Sequence, residues 1–566
     1  MTGYFRNIFF GALLALPVFL QAQQELSAKD QRKFDYHFYE ASRYLVIERL
    51  DLAVKEYLEC YKVDPHNSAV TFQLGKLFVE AGDQENGEKY LTEAYQTEPS
   101  NKWIALALAK FYQEFNSPEK AIPIYKNLAE IYPDDVGYLF ELAQLYYNER
   151  SYKECLATLN QLEVLIGVSP ELSQQKKDIY LLLDDEDGAR KELEKLVAVY
   201  PVNIEYMGSL AQFYTANGYI DEAIETYDRM LELNPDDPRA HMDLANIYRK
   251  QEQFDKSYEH LKIAMSSPNL EVDLKVKVLY SFYQEGRNDS VMYQMGKELI
   301  KLSIEATPEE PKLYALLGDF ELFEENVEAA RNNYRMATKL GANQIQIWSQ
   351  LLFLDSELEW NDTLVVDGQA FIELFPNQPL GYLFTGSGYY FLKDYKKSIE
   401  FYESGLDFVL DNPELEEQFY IQLADSYHRL ELHQKSDSYF EKALEINPNN
   451  PTVLNNYAYY LTVRGVRLTE ALEMAEKCNT IEPNSGVFLD TWAWALYKNG
   501  QYEAALEKMM SCAANGGATS GEVLEHWGDI LYKLGKVNEA VAKWKEAALK
   551  DDASENIQQK IDNKAL

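Results

Sequence analysis

Hydrophobic and polar positions alternate along this chain at the spacing of amphipathic helices, and the helical stretches come in pairs. Each pair is two segments of about 12–14 residues joined by a short polar turn. The turns read AGDQEN, ANGYID, KNGQYE and KLGKVN. A proline follows the second apolar run in YKVDP (Pro65), YQTEP (Pro99), AEIYP (Pro133), VAVYP (Pro201) and LELNP (Pro235). The signal returns in IELFP (Pro376), LEINP (Pro448) and NTIEP (Pro483). Pro65, Pro99 and Pro133 are evenly spaced. Proline stops a helix because it has no N–H to give the ladder. The pattern therefore predicts an all-α array of helix–turn–helix units.

The slots inside the period agree. In the unit from Ser68 to Asn101, Leu74, Gly75 and Phe78 mark the first helix, and Gly87, Leu91, Ala94 and Pro99 the second. From Ile204 to Asp237 the same slots hold Leu210, Ala211, Tyr214, Ala223, Tyr227, Met230 and Pro235. Small residues let two helices approach, and tyrosine and leucine fill between hairpins. This arrangement, at the spacing of Pro65 and Pro99, resembles the tetratricopeptide repeat family, whose period is about 34 residues. The resemblance runs from Phe34 to about Ser554 and implies a right-handed superhelical solenoid of about fifteen repeats. Short insertions at 272–276 and 413–416, an added turn residue at Gly465–Arg467, another residue at Ser520 and an irregular unit at Lys277–Glu310 break the register. They divide the array into blocks at 34–271, 272–412 and 413–554, with a short segment 23–33 before and a tail 555–566 after.

The first residues follow a different pattern. MTGYFRNIFFGALLALPVFLQAQQEL has a positive start at Arg6, an apolar run from Ile8 to Leu20 that is short for a membrane span, and a small-residue cleavage point after Ala22. Residues 1–22 read as a secretory signal peptide, so that no integral span remains after cleavage. The leader resembles those of Bacteroidetes exported proteins, which implies a periplasmic protein, free or peripherally associated with the outer membrane.

A net charge of −38 argues against nucleic-acid partners, since phosphates are repelled. Cys60, Cys478 and Cys512 fall in the slot of Ala94, Ala264, Ala337 and Ala443, and Cys155 falls in that of Ala53, Ala121 and Ala223. All four read as small buried residues. No H-E-x-x-H, C-x-x-C, P-loop or G-x-S-x-G is present, so no catalytic, cofactor or metal residue is nominated and the chain reads as non-enzymatic. The glycines of TGSGYYF (Thr385–Phe391) read as close-packing slots. LLDDEDGARKELE (Leu182–Glu194) lacks the first carboxylate of a calcium loop, because Leu183 stands there. NDSV and NDTL carry Asp-Ser/Thr-aliphatic, which resembles the O-glycosylation motif of exported Bacteroidetes proteins and marks Ser290 and Thr363. Plain helix capping is the competing reading.

In the family, first helices line a groove that holds protein segments. The matching slots are Phe72, Lys76, Phe140, Tyr147, Met242, Asn246, Leu383 and Tyr390. Towards the C-terminus they are Asn455, Tyr459, Asp490, Trp494, Tyr497, Asp529 and Tyr532. In LDTWAWALYK, Trp492 takes the core slot of Leu74 and Leu210, so Trp494, about 200° away around a helix, falls in a groove slot; packing of Trp494 on the irregular hairpin at Leu454–Cys478 is the competing reading. An aromatic patch with carboxylates suits partners bearing apolar and basic residues. The last three repeats also resemble bacterial envelope adaptors, including those that deliver substrates to periplasmic proteases. The resemblance implies a scaffold or adaptor for envelope assembly, secretion or protease components. The alternative is a chaperone-like holder of outer-membrane or secreted clients.

Overall fold

The structure is a computed structural model, and it describes residues 26–566. The predicted signal peptide at 1–22 lies outside the described residues. Among the described residues there are thirty-one helices and no strand. Thirty of them pair in chain order into fifteen hairpins, from Ala28–Val46 with Leu50–Val63 to Gly521–Lys533 with Val537–Ala547. The predicted all-α array of fifteen repeats is therefore observed. The chain divides into two compact units, one ending at Ala240 and the other starting at His241.

Local chemistry explains the regularity. Asn67, Asn101, Asn203 and Asn450 cap first helices, each side chain accepting from a backbone N–H of the opening turn. Most of the hairpin turns contain one left-handed residue. Gly82 (φ 77°) and Gly500 (φ 78°) supply it without strain, while Arg150 and Glu359 adopt it at φ 57°. Second helices end two residues before the periodic prolines: Leu50–Val63 before Pro65, Gln84–Thr97 before Pro99. The residue ahead of the proline is pushed out of the helical region, as at Asp64 (ψ 89°) and Glu98 (ψ 70°).

The two insertions are taken up as helix, while Gly465–Arg467 and Ser520 stay between helices. The insertion at 272–276 opens the 15-residue helix Val272–Gly286, and that at 413–416 opens the 17-residue helix Pro413–Arg429. Part of the segment 23–33 is already helix, since the first hairpin begins at Ala28. The tail 555–566 carries the helix Ile557–Asn563, packed on Val537–Ala547. All four cysteines are free and buried; burial pushes the thiols of Cys60, Cys478 and Cys512 up to about 12 and that of Cys155 to about 11. The TGSGYYF glycines are packing slots: a Cβ on Gly386 would stand 2.5 Å from the Tyr402 ring, and one on Gly388 2.8 Å from Val365.

Candidate protein-binding surfaces

The C-terminal residues nominated for the groove mostly face protein. Trp494 is 8 % exposed. Its indole stacks on Tyr497 (4.7 Å between centroids) and on His526 (3.8 Å). Asp490, also buried, lies 3.1 Å from His526 Nδ1. Burial opposes the charged imidazole, but Asp490, with Glu522 and Asp529 behind it, outweighs burial and raises the His526 pKa above its ordinary value. Asp529 is buried, accepts from Trp544 Nε1 at 2.9 Å and pairs with Lys560 at 2.7 Å. Asn455 is buried as well. Tyr459, Tyr497 and Tyr532 are half-buried, and the Tyr459 hydroxyl is held by Glu522.

These positions correct the expected open patch at Asn455, Asp490, Trp494 and Asp529. A first helix in the array is touched on more than one side. The helix Gly486–Lys498 packs against Pro451–Arg464, Leu468–Ile481, Tyr502–Ala514 and Gly521–Lys533. The stripe of Asp490, Trp494 and Tyr497 meets Gly521–Lys533, which brings His526 onto the indole. The i, i+2 spacing implies one buried face, where the array provides a wide buried arc. Trp492 is only half-buried, wedged between two apolar clusters with Lys508 Nζ 4.2 Å from its ring. Met242, another nominated slot, is also buried.

The unit ending at Ala240 presents an open row instead. Phe72, Leu106 and Phe140 occupy one slot of three successive first helices, Ser68–Glu80, Lys102–Glu114 and Gly137–Asn148. These helices stand side by side, Gln113 Nε2 donating to Glu141 Oε2 at 3.2 Å. Phe140 is 44 % exposed, Tyr147 37 % and Trp103 66 %, while Phe72 and Leu106 are half-buried. Lys76 sits 5.6 Å from the Phe72 ring and Lys102 5.1 Å from Trp103, and neither forms an ion pair. Trp103 carries no signal in the repeat pattern, because it lies in the first turn of its helix, outside the groove-facing slots.

The remaining candidates have local roles. Asp185 caps Glu186–Val199 by accepting from Gly188 N at 2.8 Å, and Asp187 pairs with Lys191 and Arg190. Asp289 caps Ser290–Ala306, which leaves Ser290 exposed at the helix start; Thr363 is half-buried in the first turn of Asn361–Leu374. No helix among the described residues is long and apolar enough to cross a membrane.

Models described as tetratricopeptide repeat match residues 78–135, 417–450 and 439–473, and one described as TPR repeat matches 211–259. The chain carries tetratricopeptide repeats. The human protein O-mannosyl-transferase TMTC1 is 26% identical over 131 residues, which is 22% of this chain and 15% of that protein. The chain thus matches a small part of that relative's length. The crystal structure of the APC/C hetero-tetramer Cut9–Hcn1 aligns with 94% of this chain and 96% of that chain, at 10% identity and a TM-score of 0.32. At that score the likeness carries no argument about this chain.

Proposed function

We propose that the protein is a non-enzymatic scaffold that holds protein segments on the first-helix row of its N-terminal unit and acts as an exported adaptor in the cell envelope. The tetratricopeptide repeats support protein binding. The observation that carries the site is the open row of Phe72, Phe140, Tyr147 and Trp103 beside the unpaired Lys76 and Lys102. Exposed aromatics in a groove are the usual anchors of a bound segment. Export rests on the leader, and the envelope role on the resemblance of the last three repeats.

Affinity purification of the tagged chain from its native cells tests the reading. A stable, stoichiometric partner lost with Phe72→Ala and Phe140→Ala supports the adaptor. A broad set of transient clients points to a holder instead. Fractionation with N-terminal mass spectrometry tests export, the expected first residue being Gln23. Ser290 is the more accessible of the two proposed O-glycosylation sites, and an intact mass with no added sugar removes both.

A further inference from the structure

Second helices of the N-terminal unit are joined by a ladder of side-chain bridges, each between one repeat and the next. The Tyr61 hydroxyl donates to Glu93 at 2.9 Å. Asn127 Nδ2 donates to the Tyr95 hydroxyl at 3.0 Å. Two rungs further along, Lys195 donates to Glu163 at 2.9 Å. Tyr61, Tyr95 and Glu163 share one slot of the repeat, and the residue in that slot between Tyr95 and Glu163 is Ala129. Its rung partner, Gln161, is exposed and makes no hydrogen bond.

The missing side chain leaves a cleft. Between the second helices Pro118–Ile131 and Tyr152–Ile166 lies a cavity of about 570 Å³, within the usual size of a ligand site. Its floor is Leu139, Leu142 and Tyr146, and Gln161 and Val164 form part of its rim. Val164 is 85 % exposed. Glu130, Glu154 and Lys126 also line it, and none of the three is in an ion pair, so carboxylates outnumber the cation two to one. One hairpin earlier the equivalent space holds the ring of Tyr95.

We infer that this cleft takes a tyrosine side chain from a basic-flanked segment of a partner protein, its ring over Leu139 and Leu142 and its hydroxyl on Gln161. The occupant is read from the chain's own use of tyrosine at the two preceding rungs, and the basic flanks from the excess of Glu130 and Glu154 over Lys126. The inference rests on the reading of the chain as a binder of protein segments but places a second contact on the second-helix face, away from Phe72 and Phe140.

The probe is a fluorescent, end-blocked Arg-Gly-Tyr-Gly-Arg peptide titrated into the full chain by anisotropy. Saturable binding is expected in the range of about 0.1–1 mM. Tyrosine-to-alanine in the peptide should weaken it about tenfold or more, and tyrosine-to-phenylalanine about threefold. Ala129→Tyr, which fills the cleft from within, should weaken binding about tenfold or more while leaving capture of the first-helix partner intact. Gln161→Ala, at an exposed position that keeps the fold, should erase the preference for tyrosine over phenylalanine. No saturation by about 5 mM, equal binding by Ala129→Tyr, or equal binding of the alanine peptide overturns the inference. So does self-association of the chain that Ala129→Tyr abolishes, because the occupant is then a second copy. Loss of partner capture with Phe72→Ala but no peptide binding sinks this inference alone.

Discussion

The imidazole of His526 lies flat against the indole of Trp494, ring centroids 3.8 Å apart and planes 15° from parallel. The contact joins two successive first helices and is sealed by Asp490 on the imidazole Nδ1. It makes Trp494, and not Trp492, the structural member of the tryptophan pair. Truncating Trp494 to alanine leaves a cavity and should cost about 3–5 kcal/mol. Trp492 is half-buried under Lys508, so its truncation should cost about 1–2 kcal/mol. Amide exchange reads stability segment by segment, so exchange in Gly486–Lys498 and Gly521–Lys533 is the suitable measurement. Equal loss of protection in both variants would refute the assignment.

The periodic prolines and the small-residue slots make the helix pairing legible in the sequence itself. They report backbone geometry and close packing, which repeat with the period. Cys60 and Cys478 could be placed in the core for the same reason, since both stand where alanine stands elsewhere. The burial of Trp494 is not legible in the sequence, because one sequence shows which residues share a helix face but not how many neighbours that helix has. The gap at Ala129 is also visible in the sequence, one full repeat after Tyr95. It acquires meaning only once the Tyr61–Glu93 and Tyr95–Asn127 bridges show what that slot does.

His526 gives a pH dependence of definite sign. Its folded pKa is raised above 6.5, so the stability it contributes is fully present below the unfolded value and is lost as pH rises through the folded pKa. Protection of Gly521–Lys533 should therefore fall as the pH is taken upward from about 6.5. In His526→Gln that slope should flatten. A slope unchanged by the substitution would assign it to another group.

Asp425 acts in the same direction for a different reason. Burial pushes its carboxyl up to about 6, against the Tyr460 hydroxyl donating at 3.1 Å. The neutral form is favoured in the fold, so its contribution is present below the unfolded pKa of about 3.9 and is lost as pH rises through about 6. Asp425→Asn keeps the acceptor and removes the charge. It should stabilise Pro413–Arg429 by about 2 kcal/mol at neutral pH and by nothing near pH 4. His428, stacked on Tyr460 at 3.5 Å and lowered by burial to about 4, titrates the opposite way. Comparison of the variant with the parent at each pH cancels it. A gain that is the same at both pH values would contradict the burial argument.

Gly386 reports on helix approach. A methyl group there would press on the fully buried Tyr402 ring, whose hydroxyl is tied to Ser387 at 3.0 Å and to Gln422 at 3.3 Å. Gly386→Ala should cost about 1–3 kcal/mol despite alanine's better helix propensity. Exchange in Pro379–Phe391 and Tyr395–Leu406 measures it, and a stabilised hairpin would show that the interface yields freely.

The last first helix, Gly521–Lys533, buries two carboxylates that depend on the helix after the array. Lys560 Nζ lies 2.8 Å from Glu525 and 2.7 Å from Asp529. Burial raises the Asp529 pKa against the pull of Lys560, whereas Glu525, which also accepts from Ser554 at 2.8 Å, is held below its ordinary value. Lys560→Ala leaves both carboxylates without their cation. Breaking a buried pair from one side costs about 3–5 kcal/mol, and the 17 % exposure of the lysine side chain places this case nearer about 2–3 kcal/mol. Asp529→Asn in the Lys560→Ala background should recover part of the loss, since an amide oxygen still accepts from Trp544 Nε1 and one stranded charge is gone. The double-variant comparison separates charge from packing, because deleting 555–566 also removes Ile557 and Ile561 from the terminal cluster. If Lys560→Ala leaves the exchange of Gly521–Lys533 untouched, water replaces the cation without cost. If it is destabilising but Asp529→Asn restores nothing, the lysine stem and not its charge holds the final helix in place.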